Sequence, residues 1–282
     1  MSESTTEISL SSSTPVSRNE ETHSVHIPST IQADTLFNFT TKIEYLVESL
    51  RCKKLFPRYN IEDISYLHIS NIDKIAILMK CFCDINLHRL DIHLNWYGHY
   101  GLAFSKEWGM KQAIQPVHYI NQSSRLCADF SEAFCAALTA KRENEGPEQK
   151  TMKNYLLHNL MYLKPYEGNF KNQEGKIEKK CFTDECEWRF IPNVDPLLNL
   201  SPFYFDEKIL NSDSLVRLSN ALKNDSNFGL SFSYEDLKYI IIKNDRDFSL
   251  LANTITLMNI SDLEKHQLFS KIIIWEKSRG DF

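Results

Sequence analysis

Glu185 and Glu187 stand two residues apart in the segment DECEWRF, Asp184 to Phe190. Along a β-strand, residues i and i+2 project from the same face, so this spacing predicts two carboxylates side by side. Such a pair can orient an attacking group while stabilising positive charge at an oxocarbenium-like sugar carbon. The same spacing also fits a solvent-facing strand edge on which Arg189 makes a cross-face ion pair. On either reading the carboxylates are expected to be exposed, and Glu187→Gln to leave stability nearly unchanged.

A second chemistry-bearing block runs from Cys81 to Ile120 and holds two cysteines, four histidines, two tryptophans and three tyrosines. Imidazoles and polar-tipped rings need partners when buried, so core packing alone does not account for this density. Within it, YGHYG sets Tyr97, His99 and Tyr100 around two glycines. Glycine permits a sharp turn or a close backbone approach to a ligand. The tyrosine rings can stack on a nicotinamide or another base while His99 bonds a ribose; equally, the segment is a tight turn with rings packed across it. It is not a phosphate loop, since neither G-x-x-x-x-G-K nor G-x-G-x-x-G is present. Arg58, after Pro57, can grip a pyrophosphate through its planar fork or serve as a surface ion-pair residue. His93 reads as a satisfied structural histidine. The Lys53–Lys54 pair and the run Lys176–Lys180 read as solvated surface.

The elements that must position these groups belong to a chain of 282 residues with 42% hydrophobic and 12% aromatic content. That composition describes a folded protein able to bury a core. A net charge of -5 gives no global basic field for nucleic acid. Seven cysteines make an odd count, and neither C-x-C (Cys81, Cys83) nor C-x4-C (Cys181, Cys186) has the usual zinc-knuckle spacing. The reading is therefore of no metal, with Cys81 and Cys83 on one face of a buried strand. No apolar run approaches a membrane span and no signal-peptide core opens the chain, which predicts a cytoplasmic protein without a membrane partner. Neither G-x-S-x-G nor H-E-x-x-H occurs, so serine hydrolysis and zinc proteolysis are unsupported.

Residues 1–33 are Ser/Thr/Glu-rich and read as a disordered N-terminal arm, with residues 34–282 forming a single domain. A strand is expected at Thr35–Thr41, followed by a helix carrying Ile43, Leu46, Val47 and Leu50 at helical spacing. Further strands are expected at Ile77–Cys83, after YGHYG, at Pro116–Ile120, at Cys181–Pro192, before Asn244 and at Lys271–Lys277. Helices are expected over Asn86–Trp96, after Ser105, through Asn121–Leu163 around a solvated loop at Lys141–Lys150, and over Asp247–Met258. Leu163–Cys181 reads as a polar connection and Asn193–Pro202 as a loop. Strands scattered among helices without regular alternation predict an α+β fold, a mixed sheet core flanked by helices.

The ordered blocks LFNFT, FPRYNIEDISY, MKCFCDINL, HLNWYGHYGLAFSKEWG, QPVHYI, LKPYEG and ECEWRFIP resemble the AbiGi-type abortive phage-resistance family from about Thr35 to Pro192. YIIIKN and KIIIWEK fit the C-terminal region of that family. The resemblance implies bacterial phage defence and an antitoxin role, with a cognate nucleotidyltransferase-like toxin or another defence-system protein as partner. More distantly, the layout resembles ADP-ribosyltransferase-like folds, including the DarT group. That likeness implies Glu187 as the catalytic carboxylate, Glu185 as the residue positioning an acceptor, and Tyr97 or Tyr100 as the aromatic. It sets Asn38 where a first-strand histidine would stand, a departure from the pattern because an amide cannot titrate. Two readings follow from the resemblances. One is an antitoxin or regulator on an ADP-ribosyltransferase-like scaffold. The other is an active effector that uses NAD, held by Asn38, Arg58, Tyr97, His99 and Tyr100, with a possible nucleic-acid acceptor.

Overall fold

Strand Lys74–Cys83 is the axis of the molecule, because its ten residues pair with four other strands. The computed structural model describes residues 32–70, 72–139, 146–171, 175–193, 201–205, 209–223 and 228–281. The N-terminal arm, apart from Gln32 and Ala33, lies outside the described residues, as do residues 141–145 and 194–200 of the loops expected at Lys141–Lys150 and Asn193–Pro202; the end of the first is already helix Pro147–Tyr162.

Along its first half, Lys74–Cys83 pairs antiparallel with Arg58–Asp63, Arg58 opposite Met79 and Glu62 opposite Ile75. Near its end it pairs antiparallel with Glu187–Phe190, which sets Glu187 opposite Cys83 and Arg189 opposite Cys81. On the other side of Cys83 runs Thr35–Thr40, which continues antiparallel to Tyr100–Ser105. Leu237–Ile242 follows antiparallel, and Ile272–Ile274 closes that edge in parallel. The parallel step needs a crossover, supplied by helices Asp245–Leu257 and Asp262–Ser270. The two-residue strand Gln115–Pro116 ends the sheet at the opposite edge. The fold is α+β: a mixed sheet with helices on both faces.

Strand alternation divides the core. Leu36, Phe82, Leu102, Phe104, Ile240 and Ile242 point to one side and pack under helices Ile43–Cys52 and Asp245–Leu257. Phe37, Cys83, Ala103 and Ile241 point to the other and meet Leu90 and Leu94 of helix Leu90–Tyr97. Farther along that second face, Ile75, Ile77 and Met79 pack against helices Arg125–Thr139 and Pro147–Tyr162. Helix Ile43–Cys52 buries the four residues its periodicity selects, Ile43, Leu46, Val47 and Leu50. Among the described residues, no helix is long and apolar enough to cross a membrane.

Several expected elements differ. Pro116–Ile120 divides between strands Gln115–Pro116 and His118–Ile120 of different sheets, and the strand expected at Lys271–Lys277 stops at Ile274, where helix Trp275–Ser278 begins. Cys181–Pro192 is not one strand: a 3-10 turn covers Phe182–Glu185, Cys186 adopts a left-handed conformation (φ 44°), and strand begins only at Glu187. Leu163–Cys181 is not an irregular connection, since it holds strand Leu163–Pro165 and a hairpin of Glu167–Lys171 with Ile177–Cys181. Gly168 lets the Phe182 ring lie against that hairpin, because a Cβ there would come 2.8 Å from the ring.

Candidate functional site

The turn at Cys186 decides how the two glutamates meet. Glu185 ends the 3-10 turn and Glu187 opens the strand, so strand alternation does not align them. Lys164, from strand Leu163–Pro165, brings them together: its Nζ lies 2.6 Å from Glu187 Oε2 and also contacts the Glu185 carboxylate. Arg189 grips Glu187 from the same strand face, Nε to Oε1 at 2.7 Å and Nη2 to Oε2 at 3.2 Å. The remaining guanidinium donors reach Glu62 Oε2 at 3.0 Å and the Met161 carbonyl at 2.8 Å. The Glu187 backbone N–H donates to the Tyr119 hydroxyl at 2.8 Å.

Glu185 anchors the other half of the cluster. Lys180 Nζ donates to Glu185 Oε1 at 2.7 Å and to the Tyr97 hydroxyl at 2.9 Å, while that hydroxyl donates to the same carboxylate. The Lys180 ammonium stands 3.3 Å from the centroid of Trp96, 4.0 Å from Phe170 and 4.9 Å from Tyr97. His93 Nε2 lies 3.4 Å from the Glu185 carbonyl oxygen.

The expectation of a solvent-facing carboxylate pair is overturned. Side-chain exposure is 4% for Glu185, 5% for Glu187 and 0% for Arg189. Helix Pro147–Tyr162, through its Met161 carbonyl, and strands Leu163–Pro165 and Ile177–Cys181, through Lys164 and Lys180, cover this face of the sheet. Burying charge here is tolerable because Glu62, Glu185 and Glu187 are matched one for one by Lys164, Lys180 and Arg189. An unmatched ion in such a place costs several kcal/mol, roughly, even after relaxation.

Electrostatics follow from that matching. Burial opposes ionisation of Glu187, but Arg189 and Lys164 outweigh it and hold the carboxyl well below its ordinary range. Burial likewise opposes the charge on Lys164, yet Glu187, Glu62 and Glu185 hold its ammonium well above the usual lysine value. Lys180 goes the other way: burial lowers it, and Glu185 offsets that only in part. Burial and the Glu185 charge raise the Tyr97 phenol, keeping it a neutral donor. Burial lowers His93, keeping its imidazole neutral.

Of the residues singled out from sequence, the structure gathers Glu185, Glu187 and Tyr97 and disperses the rest. Asn38 is buried on the opposite sheet face, opposite Leu102, and its amide donates to the Cys81 carbonyl at 2.8 Å. Tyr100 turns to helix Asp245–Leu257 and donates to Asp247 at 3.2 Å. His99 lies near Lys243 and Glu276, and Arg58 near Lys80. The YGHYG segment is a turn: Gly98 ends the helix at φ 115°, where a Cβ would stand 2.3 Å from the Thr40 carbonyl oxygen.

Sequence reasoning missed Lys164, Lys180 and Glu62, and it took Lys180 for solvated surface. In Ile177–Cys181 only Lys180 is buried; Ile177, Glu178 and Lys179 are exposed, so the strand shows no alternation that would have singled it out. The signal was available in the Gly-containing polar stretch between Lys164 and Lys180, which has hairpin composition. Cys81 and Cys83 do share one buried strand face, beside Arg189 and Glu187. Among the described residues, no group of three His, Cys, Asp or Glu side chains is placed to hold a metal ion.

Chemically, every oxygen of the Glu185 and Glu187 carboxylates accepts from a cation or a phenol. In this arrangement neither is a free general base. The cluster ties together the sheet, helix Leu90–Tyr97 and the Leu163–Cys181 excursion.

Residues 53–243 match a family model described as "Putative abortive phage resistance protein AbiGi, antitoxin". A relative named abortive phage resistance protein AbiGi, from Lactococcus lactis subsp. cremoris, is 31% identical over 247 residues, covering 80% of this chain and 98% of its own length. No solved structure matches. The family match spans the whole charged cluster, from Glu62 to Arg189, and the relative is aligned nearly end to end. On both counts, the chain belongs to the AbiGi family.

Proposed function

We propose that this protein acts in abortive phage resistance as the antitoxin of a toxin–antitoxin pair, working in the cytoplasm by binding its partner rather than by catalysis. The observation that carries this reading is the buried state of Glu185 and Glu187, each paired at both oxygens. A carboxylate that must stabilise a ribosyl cation has to reach it. Family membership supports the antitoxin role, and the resemblance supports a nucleotidyltransferase-like toxin as the partner. Co-expressing the neighbouring gene product with this chain tests it. Growth arrest by the neighbour, relieved by this chain and accompanied by co-purification of the two, is expected. Arrest that persists despite soluble, folded chain defeats the proposal.

One observation favours a second reading, an NAD-dependent effector on an ADP-ribosyltransferase-like scaffold: Glu185, Glu187 and Tyr97 converge although 88 residues separate Tyr97 from Glu185. Incubation of the purified chain with labelled NAD and single-stranded DNA, RNA or lysate separates the two. No label transfer and no nicotinamide release are expected. Turnover that disappears in Glu187→Gln, with that variant shown to be folded, would establish the enzyme instead.

A further inference from the structure

Trp96, Tyr97 and Phe170 surround the Lys180 ammonium on three sides, at 3.3, 4.9 and 4.0 Å, and Glu185 closes the fourth at 2.7 Å. Ring faces attract a cation through their quadrupoles, and a desolvated cage closed by a carboxylate is the chemistry that recognises an ammonium. The rings are braced by their own contacts, with Trp96 against Tyr97 at 6.1 Å, Trp96 against Phe170 at 6.2 Å and Tyr97 against Phe170 at 6.3 Å. All three are only partly buried, so the cage reaches the surface although the ammonium side chain is 5% exposed.

The occupant comes from a segment with few other ties. Among the described residues, Ile177–Cys181 pairs with Glu167–Lys171 alone, outside the main sheet, and Ile177 on its outer part is 68% exposed. Lys180 is its one buried side chain among the described residues. If Lys180 withdraws, Lys164 stays bonded to Glu185, and an incoming ammonium restores the one-for-one match of charges.

We propose that Trp96, Tyr97, Phe170 and Glu185 form a binding site for a primary alkylammonium group, filled in cis by Lys180 and exchangeable for a lysine side chain of a bound protein. A four-carbon stem ending in an ammonium already fits the cage, and a lysine in trans presents the same group. The site stands independently of the antitoxin reading; its use by a partner lysine rests on that reading.

The test uses the intact chain and n-butylammonium as probe, with 1-butanol as the uncharged control. Lysine acylation is followed residue by residue by mass spectrometry and expressed relative to exposed Lys179 in the same sample, because the probe is itself a primary amine and consumes reagent. Lys106 is the internal reference, since it is buried against Asp84 at 2.7 Å with side-chain exposure of 7%. Lys180 is expected to be protected, and saturating n-butylammonium to speed its acylation on the order of tenfold while Lys106 stays protected, the scale of exchanging a desolvated cation–π contact. Protection of Lys180 that n-butylammonium does not change overturns the proposal, as does parallel exposure of Lys106, which reports general unfolding. In Lys180→Ala, n-butylammonium is expected to raise the melting temperature saturably and 1-butanol is not. A folded Lys180→Ala that ignores n-butylammonium also overturns the site, and if that variant fails to fold the labelling of the intact chain decides.

Discussion

Arg189 and Glu187 hold each other from positions two apart on one strand, Nε to Oε1 at 2.7 Å and Nη2 to Oε2 at 3.2 Å, with side-chain exposures of 0% and 5%. The pair is buried too deeply for either partner to be relieved by water. Glu187→Gln removes the charge and leaves Arg189 and Lys164 facing an amide. A loss of about 3–5 kcal/mol is expected, the cost of breaking a buried ion pair from one side. Urea unfolding measures it, and a midpoint equal to that of the parent would refute it. The expectation from sequence, of almost no change, assumed an exposed carboxylate.

Tyr97 joins two elements through its hydroxyl, which donates to Glu185 and accepts from Lys180 at 2.9 Å. Tyr97→Phe keeps the ring in the cage and deletes only that oxygen. The expected loss is about 1–3 kcal/mol, because Glu185 and Lys180 each lose a partner in a place water does not reach. Thermal unfolding at matched pH reads this directly.

Stability is expected to rise with pH through the acid range in two stages. Burial holds His93 below its ordinary value of 6.5, so as pH falls through that value the unfolded chain takes up a proton that the folded chain refuses. Glu187 is also depressed in the folded state, so its contribution is present above its ordinary 4.5 and lost as pH falls toward its folded value. His99, lowered chiefly by burial, adds to the upper stage. His93→Gln should therefore shrink the upper stage and leave the lower one intact. Unfolding free energies across about pH 2 to 8, on the order of one point per half unit, would expose an unchanged upper stage or an altered lower one.

Gly98→Ala should be poorly tolerated. The backbone there has φ 115°, and the new Cβ would lie 2.3 Å from the Thr40 carbonyl oxygen, a backbone atom that cannot move aside cheaply. A loss on the order of 3 kcal/mol or more is expected from strain and overlap together. Gly146→Ala is the control, since among the described residues nothing lies within 4 Å of a Cβ at that position.

How far the sequence foretold this molecule depends on which interactions are local. Helix Ile43–Cys52 was legible because its apolar spacing is a property of ten consecutive residues. The shared face of Cys81 and Cys83 was legible for the same reason. Glu185 and Glu187 were recognisable as a pair, but a left-handed Cys186 between them is not written in any spacing rule, and Lys164 rather than strand geometry unites them. Lys180 was illegible within a run of lysines, because only the hairpin register, Lys180 opposite Gly168, selects which of them turns inward. Glu62 was hidden for a plainer reason: its partner Arg189 lies 127 residues away.

That last separation reaches into the life of the chain before it is finished. A ribosome adding about 5–20 residues per second leaves Glu62 waiting roughly 6 to 25 seconds for Arg189 to be made. Glu187 and Arg189 emerge after every other member of their cluster. A nascent or cleaved chain ending short of them has Glu62 without its Arg189 and leaves Lys164 and Lys180 to share Glu185, so it lacks the pairing that lets this face of the sheet close. A fragment of this protein is thus marked as unfinished by a glutamate whose arginine has not yet been made.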